Sequence, residues 1–217
     1  MCSNSDRYRV LSFVTALAGK DIRQTVLLRS YETNLDRINC KVSEAAQATS
    51  AALFYFKGAK VTIDGRKQEF IDAGIKVNNP ALVVHQEAEK LFGTNMQVEI
   101  FLSLGTGEKV TASVAYTKHT KRLKRGAEVL LDAITDTHEV HLNVADIYQG
   151  QGSYFWFDCP AVGKYGLDDW KHMGEIREVT EAWLRETEQE ERLDDVSDRF
   201  CDWWAQGEYL FVSSYLN

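Results

Sequence analysis

The sequence predicts an α/β fold: a three-layer arrangement in which a largely parallel sheet is covered by helices on both faces. Three observations support this. Short, nearly continuous apolar runs, such as residues 10–17 and 98–104, are typical of strands buried on both faces. Segments with helical character lie between such runs, and this alternation favours parallel pairing. The length of 217 residues suffices for a core without disulfides.

The first elements are two strands and a helix. Residues 10–17 and 25–31 are apolar runs that predict strands, and Gly19 and Lys20 mark the turn between them. The segment 42–52 is rich in Ala and contains neither Pro nor Gly, which indicates a helix. Its small side chains would let it lie close against a sheet.

A hairpin and a second helix follow. Asp64-Gly65 lies inside the strand-like segment 61–71 and suits a type I′ turn, because Gly takes positive φ without steric cost. Asn79 is a suitable N-cap for the helix, Pro80 fits its first position, and Gly93 fits its end. The predicted apolar face of this helix comprises Val84, Ala88, Leu91 and Phe92.

The remainder of the chain is predicted to be mostly helical and more acidic. The buried strand at 98–104 is closed by Gly105-Thr106-Gly107, and residues 154–157 form a short strand. The acidic run 186–191 suits a solvated helical face. A late helix carries an apolar stripe typical of a core or an interface, formed by Leu193, Val196, Phe200, Trp203 and Trp204.

Composition excludes several classes of protein. The net charge of -7 leaves no basic face for general nucleic-acid binding. No run approaches the roughly 18 apolar residues of a transmembrane helix. Residues 1–9 are polar and lack the apolar core of a signal peptide. The cysteines contain no C-x-x-C pair, which predicts reduced thiols in a cytoplasmic protein and no zinc site: Cys2, Cys40, Cys159 and Cys201.

The most informative segment is 70–81, F-I-D-A-G-I-K-V-N-N-P-A. Asp72 follows a predicted strand and precedes the small residues Ala73 and Gly74. Ligands of open α/β sheets bind at such strand ends. An Asp before small residues is also typical of a turn in which the carboxylate bonds its own backbone. On the residues alone, both roles stay open.

Several segments, in their order along residues 10–185, resemble the C-terminal part of the patatin-like phospholipase family, in particular its fungal-type members. The matching stretches are L-L-R-S-Y (27–31), E-A-A-Q-A-T-S-A-A (44–52), F-I-D-A-G-I-K-V-N-N-P-A (70–81), E-A-E-K-L-F (87–92), L-S-L-G-T-G (102–107), Y-F-W-F-D (154–158) and G-L-D-D-W (166–170).

The resemblance implies acyl-ester hydrolysis by a Ser–Asp dyad without a cofactor or metal. In that family a Ser on a G-x-S-x-G elbow attacks the ester carbonyl, and a Gly-rich loop supplies oxyanion donors. Asp72 matches the family's proton acceptor through its place before Asn78-Asn79-Pro80. A lipid or other acyl ester is the implied substrate.

The sequence departs from the family pattern in three ways. It contains no G-x-S-x-G, and no Gly-rich loop precedes Val10. The motif is D-A-G, with Ala73 where the family has Gly, and Ala at a positive φ would cost about 1 kcal/mol. A base without its nucleophile and oxyanion donors cannot run this mechanism.

Three other residues are candidates for chemistry. Ser50 in the Ala-rich helix is expected to pack closely, and Ser103 is expected in the core, so neither suits a nucleophile. Asp64 is a rival for the D-G motif, but its spacing favours a hairpin turn.

Two further patterns could hold ligands. Gly105 and Gly107 could cradle a phosphate, although a strand-to-loop turn is the simpler role. His138 and His141 form an H-x-x-H that needs a third ligand to hold a metal, and a solvated helix face is the alternative.

The sequence therefore predicts residues 1–185 as a partial patatin-like domain and 186–217 as an acidic, aromatic-rich helical tail. We expect the rear portion of a larger hydrolase domain, inactive alone, with Asp72 as its retained base. The alternative is a non-catalytic lipid-binding or protein-interaction module. Strands such as residues 10–17 or 25–31 would then be unpaired edges, which promote self-association.

Overall fold

The computed structural model describes residues 11–32, 38–53, 55–63, 65–107, 137–166 and 169–206. The chain divides into two compact units, and the boundary falls between Thr94 and Asn95. Both units combine strands with helices, so the mixed α/β class is confirmed. The described elements of the first unit are β1 (Phe13–Ala18), β2 (Asp21–Arg29), α1 (Val42–Thr49), β3 (Ala59–Ile63), β4 (Arg66–Asp72) and α2 (Ala81–Phe92).

The sheet of the first unit is antiparallel. Its order is β2-β1-β4-β3, and every neighbouring pair runs in opposite directions. The expectation of an unpaired edge at residues 10–17 is wrong, because β1 lies between β2 and β4, whereas β2 does lie at an edge of the described sheet. The prediction of a largely parallel sheet is wrong here, because short turns join β1 to β2 and β3 to β4, and such turns allow only antiparallel pairing. Gly65 has a φ of 75° in the second turn, as the hairpin prediction requires. Asp64 lies outside the described residues.

One face of this sheet is covered by α1. The side chains of Ala16, Val61 and Phe70 form a buried cluster with Ala48 of α1. Ala16 and Ala48 are both 0% exposed, so small residues let the helix lie close to the strands. The predicted Ala-rich helix is confirmed, and it ends at Thr49.

The opposite face carries a buried ion pair. Leu28 belongs to the cluster beneath α1, so its strand neighbour Arg29 points to the other side. The Arg29 guanidinium donates from Nε to Glu87 Oε1 at 3.0 Å and from Nη2 to Oε2 at 2.8 Å. The Glu87 side chain is only 1% exposed. This bidentate pair joins α2 to the sheet.

The surroundings of this ion pair shift the pKa values of Arg29 and Tyr31. Burial alone would lower the pKa of Arg29, but its hydrogen bonds to Glu87 raise the pKa above the ordinary value. Burial, and then the negative charge of Glu87, raises the pKa of Tyr31 to about 12. The Arg29 guanidinium therefore stays charged, and the Tyr31 hydroxyl stays protonated at neutral pH.

The start of α2 lies one residue later than predicted, because Pro80 is the N-cap residue and not the first helical residue, while its end follows the predicted signal. Asn79 Oδ1 accepts the N–H of Ala81 at 3.0 Å, and Gly93 ends the helix with a φ of 87°. The predicted apolar face is only partly correct. Phe92 is 53% exposed, whereas Glu87 is among the most buried residues of the helix.

The second unit contains a parallel strand pair. Its described elements are β5 (Phe101–Leu104), α3 (Thr137–Ile147), β6 (Tyr154–Phe157), α4 (Met173–Leu184) and α5 (Thr187–Gln206). The two strands pair in parallel from Phe101↔Tyr154 to Leu104↔Phe157. Helices contact both faces: His141 of α3 stacks on Trp156, while Trp183 of α4 meets Phe157 from the opposite side.

The longest described helix is α5, with 20 residues. Its N-terminal glutamates are exposed, as the acidic run predicts. Arg192 Nη2 donates to the carbonyl oxygen of Trp156 at 2.7 Å and thereby fixes α5 against β6. Within the described part of the chain, no helix combines the length and apolarity needed to cross a membrane.

We predict that Glu87→Gln lowers the free energy of unfolding by about 3 kcal/mol, because it leaves the Arg29 charge buried without its partner. Urea denaturation of the full chain measures the effect. The matched control is Glu89→Gln on the same helix, whose side chain is 33% exposed and should cost less than about 1 kcal/mol. Equal losses in the two variants would show that the ion pair contributes no special stability.

Candidate functional site

Asp72 is the last residue of β4, and two neighbours fix its backbone. In the ladder it lies opposite Ala16 of β1. Its own N–H donates to the carbonyl oxygen of Ala51, just beyond α1, at 3.0 Å. The predicted strand-end position is therefore the observed one, held by both the sheet and the end of α1.

The Asp72 carboxylate caps a short 3₁₀ helix, Ala73–Ile75. Its Oδ1 accepts the N–H of Gly74 at 2.6 Å, which closes the turn. Ala73 is 0% exposed and begins this helix, a right-handed conformation open to any L-residue. The strain expected from Ala at a positive φ therefore does not arise.

The electrostatic setting of Asp72 suits proton transfer. Burial raises the pKa of its carboxyl group, and the hydrogen bond from Gly74 offsets only part of that rise. No charged side chain of the described residues contributes to this shift. Among the described residues nothing donates to Oδ2, so one carboxylate oxygen is fixed and the other can accept a proton.

The two serines weighed as nucleophiles lie elsewhere. Ser50 is the exposed C-cap residue of α1, so the close-packing prediction for it is wrong; its hydroxyl donates to the Ala46 carbonyl oxygen at 2.8 Å. Ser103 is a half-buried residue of β5, opposite Trp156. Neither serine lies on a strand-to-helix elbow.

The loop Gly105-Thr106-Gly107 binds an internal carboxylate. Gly107 N–H donates to Asp158 Oδ1 at 2.5 Å. A Cβ at Gly105 would lie 2.1 Å from that oxygen, and one at Gly107, where φ is 95°, would lie 2.4 Å from Gly163 N. These glycines are therefore required by close packing. This supports the strand-to-loop turn over a phosphate cradle.

The H-x-x-H pair lies against aromatic side chains. His141 stacks on Trp156 with a ring-centroid distance of 3.7 Å, and its Nδ1 lies 3.1 Å from the hydroxyl of Tyr154. Burial raises the pKa of Tyr154 to about 12, so this hydroxyl stays protonated. The prediction of a solvated face is wrong for His141, while His138 is exposed. The described residues contain no cluster of three or more metal-ligating side chains.

Sequence reasoning missed the Arg29–Glu87 pair. Its signal was present, because Glu87 follows Val84 by three residues and precedes Leu91 by four. Those spacings place a carboxylate in the middle of an apolar helical face. A charge in that position needs a buried counter-charge, and Arg29 supplies it.

Comparison with known proteins gives one clear relationship. The chain is 28% identical over 188 residues to patatin-like phospholipase 1 of Plasmodium falciparum (isolate NF54). It resembles a patatin-like phospholipase. The match covers 73% of this chain but 27% of the relative, so the chain spans about a quarter of that protein's length. No protein-family model matches the sequence, and no solved structure matches it.

We predict that Asp72→Asn is more stable than the wild type at neutral pH, because it keeps the turn and removes a charge that burial disfavours. Because the pKa of Asp72 is higher in the folded state, protonation of its carboxyl group stabilises the fold. This contribution is complete below the ordinary pKa of 3.8 and is lost as the pH rises through the raised pKa. The advantage of Asn should therefore shrink as the pH falls through the raised pKa, and it should be gone once the pH is below the ordinary value of 3.8. Thermal unfolding across pH measures it.

The control for this prediction is Asp72→Ala, which lacks both the charge and the cap. It should be about 1 kcal/mol less stable than Asp72→Asn at every pH, because it cannot close the turn. A wild-type profile parallel to that of Asp72→Asn would contradict the raised pKa.

Proposed function

We propose that this chain supplies the base-bearing part of a patatin-like acyl-ester hydrolase, in which Asp72 is the proton acceptor. The observation that carries the proposal is the half-buried carboxylate at the end of β4, with Oδ1 fixed by Gly74 and Oδ2 open. The similarity to a protein named as a patatin-like phospholipase supports a lipid acyl ester as substrate. We place this activity in the cytoplasm.

The proposed role of Asp72 is to activate a serine. The carboxylate takes the hydroxyl proton as the serine oxygen attacks the ester carbonyl, and the raised pKa makes it a stronger base. The tetrahedral oxyanion needs preorganised N–H donors. We infer that both the serine and these donors come from outside the 217 residues, which contain no G-x-S-x-G. On this proposal the chain alone is inactive.

We infer that the parallel pair β5–β6, with helices on both faces, belongs to a larger three-layer sheet when the patatin-like domain is complete. Residues 1–185 would form this partial domain, and 186–217 would form the acidic, aromatic-rich tail.

Complementation tests the proposal. The full chain is mixed with, or fused to, a patatin-like segment that carries a G-x-S-x-G elbow and a Gly-rich loop. We predict turnover of a p-nitrophenyl ester only when both parts are present, and at least a hundredfold loss with Asp72→Asn. Asp21→Asn is the matched control, because Asp21 is a surface residue of β2 with a side chain 46% exposed.

Assembly of the two parts is measured separately by size-exclusion chromatography. This distinguishes parts that do not associate from a complex that forms but does not react. If the chain alone turns over the ester and Asp72→Asn abolishes this turnover, the chain already contains the nucleophile. An assembled complex that reacts equally well with Asp72→Asn would remove Asp72 from the mechanism.

We further propose that the isolated chain self-associates through an open strand edge. Among the described residues β5 pairs with β6 alone, and its Leu102 and Leu104 are 44% and 73% exposed. A charged residue on such an edge opposes pairing. We predict that Leu104→Lys lowers the average mass in light scattering, whereas Leu142→Lys on α3 does not. A monodisperse wild-type monomer would contradict the proposal.

A further inference from the structure

The helix α5 has an apolar stripe that divides into an inner and an outer half. Val196 and Trp203 face inward, and Trp203 is 8% exposed. Leu193, Phe200 and Trp204 form the outer half and are 37%, 42% and 56% exposed. Exposed apolar side chains that line up on one helix are typical of an interaction surface. We call these three residues the outer stripe.

The charges that border the outer stripe are negative. The seven acidic residues of α5 are all exposed: Glu188, Glu190, Glu191, Asp194, Asp195, Asp198 and Asp202. Its two arginines face β6 instead. Arg192 lies 4.8 Å from the ring centroid of Phe157, and Arg199 lies 5.5 Å from that of Phe155. Arg199 Nε also pairs with Asp195 Oδ1 at 2.7 Å, so one of these carboxylates is neutralised within the helix. The exposed surface of α5 therefore offers apolar contact beside a negatively charged face, on which Glu190 and Asp194 lie nearest the outer stripe.

The spacing of the outer stripe suits another helix. Phe200 and Trp204 follow Leu193 by seven and eleven residues, a distance of about 16 Å along the axis. Ser197 lies between Leu193 and Phe200 on this side and is small. A large side chain of a partner helix can enter the gap above it, as a knob enters a hole.

We propose that α5 binds a basic amphipathic helix of a partner protein, at least three turns long. Apolar residues of that helix would cover the outer stripe, and its Lys or Arg residues would face the carboxylates. The same carboxylates disfavour a second copy of α5, because two acidic rims would meet, and they disfavour an anionic membrane. This proposal goes beyond acyl-ester hydrolysis and does not involve Asp72.

Fluorescence anisotropy with the full chain tests the proposal. The probe is a labelled amphipathic peptide of Leu and Lys, about 18 residues long, and its counterpart has Glu in place of Lys. We expect the Lys peptide to bind at least tenfold more tightly than the Glu peptide. Its affinity should fall at least tenfold between about 50 and about 500 mM salt, because salt screens exposed charges.

Matched variants separate the stripe from general charge. Phe200→Ser should weaken binding at least tenfold, because it removes the central aromatic contact. Leu142→Ser is the control, since Leu142 of α3 is 53% exposed and lies outside the stripe. Glu190→Lys, beside the stripe, should also weaken binding, and charge reversal in the peptide should restore it. Equal effects of Phe200→Ser and Leu142→Ser would overturn the proposal.

Three other outcomes would also overturn it. If the chain pellets with zwitterionic phosphatidylcholine vesicles and Phe200→Ser abolishes this pelleting, the stripe binds a lipid surface instead. If sedimentation shows a dimer of the wild-type chain and a monomer of the same variant, the stripe binds a second copy of the chain. Cys201 adjoins Phe200 and is exposed. If peptide mapping after maleimide treatment shows that Cys201 has not reacted, another part of the chain covers the stripe.

Discussion

The Arg29–Glu87 ion pair is the constraint on which the first unit depends. A carboxylate that is 1% exposed needs a counter-charge at hydrogen-bond distance, and only one rotation of α2 brings Glu87 to the end of β2. The segment between β4 and α2 is therefore fixed at both ends. At one end Asp72 is bound into the sheet, and at the other α2 is tied to the strand surface. The D-A-G turn owes its definite shape to both attachments.

Much of the local structure could be predicted from the sequence. The Ala-rich helix, the hairpin around Gly65, the end of α2 at Gly93 and the strand at 154–157 all follow from short-range signals. Sheet direction did not follow, because continuous apolar runs report burial on both faces and say nothing about orientation. The two-residue connection at Gly19 and Lys20 carried that information, since it is too short for a parallel crossover.

The candidate site was predictable in position but not in detail. The order of motifs pointed to Asp72, and the strand-end location follows from its neighbours in the sequence. Its contacts with Ala16 and Ala51 join residues distant along the chain, and no local pattern encodes them. The aromatic packing of His141 and the carboxylate bound by the G-T-G loop depend on tertiary contacts of the same kind.

Only one oxygen of the Asp72 carboxylate is bound within the turn, so the other decides which kind of hydrogen bond the group offers. Because Gly74 holds Oδ1, rotation about the last side-chain bond is restricted and Oδ2 keeps one direction. A hydroxyl group must approach along that direction, and the entropy of orienting the carboxylate is already lost on folding. An asparagine in the same turn would present its NH₂ group there. The backbone would scarcely differ, yet an acceptor would have become a donor.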